Sequence, residues 1–360
     1  MYIRTSDRIN FKKCRRAWDL QSPERQNLML KVPNENLHLG SAVHEALAAY
    51  YEPTTEQSTS LALEAFEKYC ANFFNNANLM PAEVDNYTEL HQLGRDMLNY
   101  YCNEFAPEYD NFEVVCVERE FRMPVYDSPD DARKYLQLPL VDNSFSSNNM
   151  QANHAFENTY YGGKLDGVVR DSDTGLYYVL EHKTAKTLPS EGFDIFLEMD
   201  EQIGSYILLA EAELGIEIEG VIYQALKKST PVPPKVLKSG ELSVDKRQMT
   251  TVDLFTEAVK DHGLQMSSKY LEFIEFLKDS DNKFCYRVVV RRNKHETENL
   301  KNRIKAEAAD MLYAQIYPNP SRFHCNYCDV RPLCLAIMDG DDYEELQNRL
   351  FVQNTEYGRL

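Results

Sequence analysis

A chain of 360 residues exceeds the roughly 250–300 at which one hydrophobic core stops growing, so one elaborated domain or two intimate units is expected. With 39 basic against 57 acidic residues the net charge is −18, which excludes binding to a polyanion by global attraction and requires any such binder to gather its cations locally. No apolar run approaches the ~18 residues of a spanning helix, and the opening MYIRTSDRINFKKCRR is charged where a signal peptide is apolar, so a soluble cytoplasmic protein with no membrane partner is expected.

In chain order, residues 1–110 read as mainly helical, because GSAVHEALAAYYE and LALEAFEKYCANFF carry apolar residues every three or four positions. Strands begin at FEVVCVEREFRMPV (112–125), which alternates and is rich in valine. From Tyr126 to Asn158, Asp, Ser, Asn and Pro surround one short apolar patch, and an irregular insertion is expected. YYGGKLDGVVRDSDTGLYYVLEHKTAKT then sets two Val- and Tyr-rich runs around the turn-forming DSDTG, a β-hairpin within a central part spanning 111–228. A helix is expected from about Phe193 to Leu214 and a strand at EGVIYQAL (219–226). An exposed connection rich in Pro, Lys and Ser follows over 229–253. A C-terminal part, 254–340, holds a helix, the strand KFCYRVVVRR (283–292), a helix from about Glu296 to Ile316 and a cysteine cluster, and 341–360 reads as an acidic tail. Strands between helices, with a hairpin among them, predict an α/β fold in which a mixed central sheet is flanked by helices.

Positive charge collects in two runs. Arg287, Arg291, Arg292, Lys294, Lys301, Arg303 and Lys305 form one, and Lys227, Lys228, Lys235, Lys238, Lys246 and Arg247 the other. Such runs serve as solvated faces or as local sites for a polyanion.

The hairpin carries the chemistry. If Arg170 faces Tyr177 across the turn, antiparallel pairing sets Val168 opposite Val179 and Asp166 opposite Glu181. Glu181 and Lys183 project to one side of their strand and His182 to the other. Two paired carboxylates repel unless a hard divalent cation such as Mg²⁺ or Mn²⁺ takes oxygen ligands from both, activates water and stabilises charge on a phosphate. The same residues also fit a cross-strand ion pair of Glu181 or Asp166 with Lys183 or Lys164.

GGKLDGVV, then EHKT, then QIGSY, in that order, resembles the PD-(D/E)xK nuclease superfamily and in particular its RecB-like branch. The resemblance implies a restriction-endonuclease-like fold in a single elaborated nuclease domain. It implies that Asp166 and Glu181 bind the metal together with the His182 carbonyl, while Lys183 assists the attacking water. GSAVHEAL resembles the helix that in this branch supplies a further ligand, here His44, and Gln202 and Tyr206 match its Q-x-x-x-Y motif, one helical turn apart. Taken alone, His44 and the Gln202/Tyr206 pair would pass as ordinary helix residues.

Cys325, Cys328 and Cys334 supply three soft ligands within ten residues, in a loop-like FHCNYCDVRPLC context. A structural zinc site would present two close CxxC knuckles, whereas any fourth cysteine is remote here, and Cys14 in FKKCRR is the one expected. The arrangement is similar to iron-sulfur nucleases of the CRISPR-associated and AddB kinds, which implies a [4Fe-4S] cluster stapling the chain ends. Size and the PPKVLKSGELS connection look like stand-alone phage exonucleases. The resemblances imply metal-dependent exonucleolytic cleavage of DNA, with Lys235, Lys238, Arg291 and Arg292 as DNA contacts. No GxxxxGK[ST] loop is found, so unwinding would fall to a helicase or single-strand annealing partner. A non-catalytic DNA-binding module and an iron-sulfur redox protein are the alternatives. The first leaves intact carboxylates without a use, and the second leaves the hairpin unexplained.

Overall fold

The structure, a computed structural model, describes residues 1–32, 34–77, 79–139, 147–188, 194–279 and 284–354. A short strand β1 (Tyr2–Arg4) leads into helices α1 (Thr5–Lys13) and α2 (Arg15–Gln21), strand β2 (Leu28–Leu30), and then α3 (Glu35–Tyr50), α4 (Thr59–Asn76), α5 (Pro81–Tyr100) and α6 (Ala106–Tyr109). Strand β3 (Phe112–Pro124), helices α7 (Pro129–Tyr135) and α8 (Ser147–Asn158), and the hairpin β4 (Tyr160–Asp171) and β5 (Tyr177–Ala185) follow. Helices α9 (Asp194–Met199) and α10 (Glu201–Leu214) precede β6 (Ile218–Lys227), α11 (Val252–Asp261), α12 (Ser268–Asp279) and β7 (Cys285–Val290). The chain finishes with α13 (Lys294–Leu312), α14 (Arg322–Asn326), α15 (Arg331–Asp339), α16 (Tyr343–Leu350) and β8 (Phe351–Gln353). The mixed α/β architecture expected from the sequence is the one observed.

Strand β4 organises the sheet. Tyr161 pairs with both Ile3 and Met123, so β1 and β3 lie on opposite edges of β4, and Val168 pairs with both Cys116 and Val179, so β5 shares its edge with β1. The β1 ladder ends at Gly162 and the β5 ladder begins at Gly167, which leaves the stretch between them without a paired neighbour on that edge. Beyond β5 the sheet continues through parallel β6 and antiparallel β7. Its two faces bury separate cores. One gathers Leu165, Val168, Val179 and Val221 beneath α10 and α13, and the other gathers Val169, Leu180 and Ile222 beneath α3, α4 and α5. Together they exclude water from both sides of the hairpin.

Arg8 locks the first helix onto the scaffold. It is 1% exposed, pairs with Glu307 at 2.5 Å and Glu201 at 3.1 Å, and reaches the Tyr161 hydroxyl at 3.3 Å. That hydroxyl bonds Thr5 and Ser205 at 2.8 Å each, so α1, β4, α10 and α13 meet at one buried polar node.

Some local expectations need correction. The stretch 126–158 is not irregular at its ends. Ser128 caps α7 by accepting from the Asp131 amide at 3.1 Å, and Ala132, Ala152 and Ala155 are buried, small side chains giving little periodic signal to a sequence reading. The single helix expected to Leu214 breaks at Asp200, whose extended backbone and carboxylate cap α10 by accepting from the Gln202 amide at 2.7 Å. The described part of 341–360, up to Asn354, is folded rather than a tail. Tyr343–Leu350 is helical, and Phe351, 4% exposed, joins Leu20, Leu28, Val330 and Leu333 in a small core as β8 pairs with β2. The connection over 229–253 is mostly exposed, but Leu242 is fully buried in a core with Phe255 and Phe273. Phe193, Lys283, residues 140–146 of the insertion and 355–360 of the tail lie outside the described residues.

Truncating the node tests it. Arg8→Ala leaves Glu307 with Lys12, and Glu201 with Lys12 and Arg303, and is expected to lower stability by about 3 kcal/mol, read as a lower urea midpoint at unchanged slope. An unchanged midpoint would mean that desolvating Arg8 offsets its pairs.

Candidate active site

The hairpin turn is built by Asp171, whose Oδ1 accepts from the Asp173 and Thr174 amides, and by Gly175, whose φ of 71° suits a residue without a side chain. Pairing runs Arg170 to Tyr177, Val168 to Val179 and Gly167 to Leu180 and stops there. Asp166 therefore comes opposite Glu181 at the open end of the ladder, and its Oδ2 accepts from the His182 amide at 2.7 Å. Leu165 and Val168 pack into the same core although their odd spacing should separate them, so the strand alternation slips at Asp166 and Gly167.

The facing strand is irregular at the same level. Glu118, opposite Asp166 by the register of β3, has a φ of 47°, unusual for any residue other than Gly, Asn or Asp. This backbone brings its carboxylate to 4.0 Å from His44 Nδ1, which itself lies 3.1 Å from Asp166 Oδ1. One ligand atom each from His44, Glu118 and Asp166 lies within 4.8 Å of the other two. Glu181 is 2% exposed; Lys183 holds Oε1, and Oε2 is buried without a hydrogen-bond partner. An orphaned carboxylate oxygen beside further acidic groups is what a hard cation would satisfy, so the residues fit a divalent metal.

Electrostatics bear the same mark. Burial, with repulsion from Asp166 added, pushes Glu181 up to about 7 against the attraction of Lys183. Burial would also raise Asp166, but His44, His182 and Lys183 outweigh it and hold this carboxyl below its ordinary range. Burial alone would lower His44 and Lys183, yet Asp166 raises the imidazole and Glu181 with Asp166 raises the amine. Lys183 therefore stays charged.

His182 faces the other side of the sheet, as alternation requires. It stacks on Tyr51 with centroids 5.6 Å apart, meets Gln224 Nε2 at 3.4 Å through Nδ1, and burial lowers it to about 3, so it is neutral. Gln224 accepts from Tyr101 at 3.0 Å and from Arg287 Nε at 2.8 Å, and Tyr51 donates to Asp110 at 2.7 Å. This buried network holds the backbone at His182. On α10, Gln202 Nε2 donates to the Tyr206 hydroxyl at 2.6 Å, and Tyr206 lies close enough to Glu181 and Asp166 for their charge to act on it.

Cys14, between α1 and α2, lines one cavity of about 540 Å³ with Cys325, Cys328 and Cys334. The Asn319 amide donates to Cys14 Sγ and the Ser321 amide to Cys325 Sγ, both at 3.4 Å. No three of these sulfurs lie mutually within 4.8 Å.

The two basic segments do not come together. Arg291 and Arg292 follow the end of β7, beside the start of β6, whereas Lys235 and Lys238 belong to the connection that follows its far end. Arg291 pairs with Glu219 at 2.7 Å, and Arg292 donates to the backbone carbonyls of Leu197 and Asp200. Arg287, Lys301, Arg303 and Lys305 are paired with Asp110, Asp127, Glu201 and Asp131. Lys235 and Lys238 are exposed. Sequence reasoning missed Glu118, because one more acidic residue in an alternating strand carries no signal, and its convergence depends on the left-handed backbone.

Comparison with known proteins bears on this geometry. A family model described as the PD-(D/E)XK nuclease superfamily matches residues 8–335, and no curated protein matches the chain.

Below about pH 7 the metal-free cluster retains a proton on Glu181 that an entering cation must displace. Mn²⁺ affinity is therefore expected to rise with pH up to roughly 7, by about tenfold per pH unit for one proton displaced. Calorimetric titrations in buffers of different ionisation enthalpy would read about one proton released, whereas a pH-independent affinity would place the cation elsewhere.

Proposed function

We propose that this chain, which belongs to the PD-(D/E)XK nuclease superfamily, is a metal-dependent deoxyribonuclease of the RecB-like branch that removes nucleotides from DNA ends. The observation that carries the reading is the buried, unpartnered Oε2 of Glu181 beside Asp166 and His44. His44, Asp166, Glu181 and the His182 carbonyl would hold Mg²⁺ or Mn²⁺, with Glu118, whose ligand atom stands with those of His44 and Asp166, as a further carboxylate. Such an ion supplies Lewis acidity toward a phosphate oxygen and makes a nearby water more acidic.

The side chains divide the remaining work. Because Lys183 remains protonated, it acts as a hydrogen-bond donor and positive charge that orients water and meets charge growing on the phosphate, not as a proton acceptor. Gln202 fixes the Tyr206 hydroxyl over the carboxylates, and the pair would position the nucleotide being cut. Lys235 and Lys238 are proposed to contact backbone phosphates, and Arg291 and Arg292 to do so with whatever charge their structural pairs leave available. Attack from ends rather than internally rests on the similarity to stand-alone phage exonucleases, as does a helicase or annealing partner in recombination or repair.

For the cysteine cavity we propose a [4Fe-4S] cluster on Cys14, Cys325, Cys328 and Cys334. The four thiols line one cavity, and backbone amides aim at two of the sulfurs, as suits thiolate ligands. Its task would be to join α1 and α2 to the C-terminal helices.

Two measurements test this reading. On end-labelled linear DNA with Mn²⁺, Asp166→Ala, Glu181→Ala and Lys183→Ala are each expected to cut the rate by about 100-fold or more while circular dichroism stays native, and closed circles should resist. Normal turnover by the two carboxylate variants at saturating metal contradicts the site. Protein purified without oxygen should be brown with roughly four irons per chain, and Cys334→Ser should lose that iron while Cys102→Ser keeps it. A colourless protein with one zinc on these cysteines contradicts the cluster.

A further inference from the structure

A second set of metal-ligating side chains lies in the helical layer, apart from the carboxylates. His38 on α3, Cys70 on α4 and His91 on α5 each place one ligand atom within 4.8 Å of the other two. The Nε2 atoms of the two imidazoles are 2.7 Å apart. His38 and Cys70 are 2% and 3% exposed, and His91 is half-buried. The walls are aromatic. Phe73, Tyr87 and Tyr69 lie with ring centroids 4.0, 5.2 and 5.5 Å from that of His38, and Phe74 meets His91 edge-on at 4.8 Å.

Helix packing alone does not account for this content. The two Nε2 atoms face each other in an apolar pocket, where at most one of them can donate to the other, and the buried Nδ1 of His38 has no hydrogen-bond partner that would hold the ring in another role. Burial favours the neutral form of both imidazoles, the form that donates an electron pair to a metal. The set contains a thiol, two imidazoles and no carboxylate, which suits a soft or borderline cation and disfavours Mg²⁺ or Mn²⁺. Nitrogen ligands at about 2.0 Å from a common ion would stand roughly 3.3 Å apart, so the rings would need to part by only about half an ångström.

We propose that His38, Cys70 and His91 form a structural site for a closed-shell d¹⁰ cation, Zn²⁺ or Cu⁺. The ion would pin α3, the helix that also carries His44, to α4 and α5. Zn²⁺ would complete its shell with water, whereas Cu⁺ accepts three ligands.

The test uses the full chain, stripped of metal and reloaded with Zn²⁺ in one arm and with Cu⁺ under reductant in the other. Wild type is expected to hold about one more equivalent than Cys70→Ser or His91→Gln in one arm, which identifies the metal, with iron content before stripping equal in all three proteins. Its melting temperature should rise by about 3 °C or more on loading, a rise the variants lack. Should Cys70→Ser fail to fold, the half-buried His91→Gln carries the comparison. X-ray absorption at the metal edge of wild type must then show a mixed nitrogen and sulfur shell. Equal metal content across the proteins in both arms, a melting temperature indifferent to loading, or an all-sulfur shell would each overturn the site.

Discussion

Three carboxylates, those of Glu118, Asp166 and Glu181, lie near one another, Glu181 buried and the other two partly exposed, and their repulsion is what the surrounding structure must contain. Each is held by a different means. Lys164 engages Glu118, His44 and the His182 amide engage Asp166, and Lys183 engages one oxygen of Glu181. The other oxygen of Glu181 remains unsatisfied, and this carboxyl is the one burial pushes up to about 7. Charge of one sign concentrated at low dielectric is costly, and a fold keeps it where an exogenous cation repays that cost.

The scaffold supports the constraint from both sides. The gap between β1 and β5 along β4 creates the open end at which Asp166 emerges, and Glu118 reaches the same point through a left-handed backbone on β3. Behind the sheet, Tyr51, Tyr101, Gln224 and Arg287 fix His182 through a buried network. In front of it, Arg8, Tyr161 and Ser205 tie α1 to α10, which carries Gln202 and Tyr206. Stability and site geometry thus draw on the same polar nodes.

How much of this could be read from the residues follows from how local each signal is. The hairpin register was legible because a five-residue turn with Gly175 admits few pairings, and Val168 does face Val179. From that register Asp166 was expected to meet Glu181, and it does reach the His182 amide, although the ladder stops at Gly167 and the alternation slips there. Glu118 was not legible, since its role depends on a φ of 47° that an alternating strand does not announce. The helices of 126–158 escaped notice because they bury alanines, and the end of the chain because acidic residues mask the spacing of Leu346, Leu350 and Phe351. The basic runs misled differently. Composition counts cations but not their partners, and Arg287 and Lys305 are committed to buried pairs.

Cys14, distant in sequence from Cys325, Cys328 and Cys334, lines the same cavity because α1 and α2 pack beside the C-terminal helices, where β2 and β8 already join the chain ends. The central claim, that these carboxylates exist to hold a cation, is tested most directly by crystals grown with Mn²⁺ and measured at its absorption edge. The account predicts one anomalous peak within about 2.5 Å of oxygens from both Asp166 and Glu181, with His44 beside it. A peak elsewhere, or Asp166 and Glu181 left without a cation at saturating Mn²⁺, would contradict it.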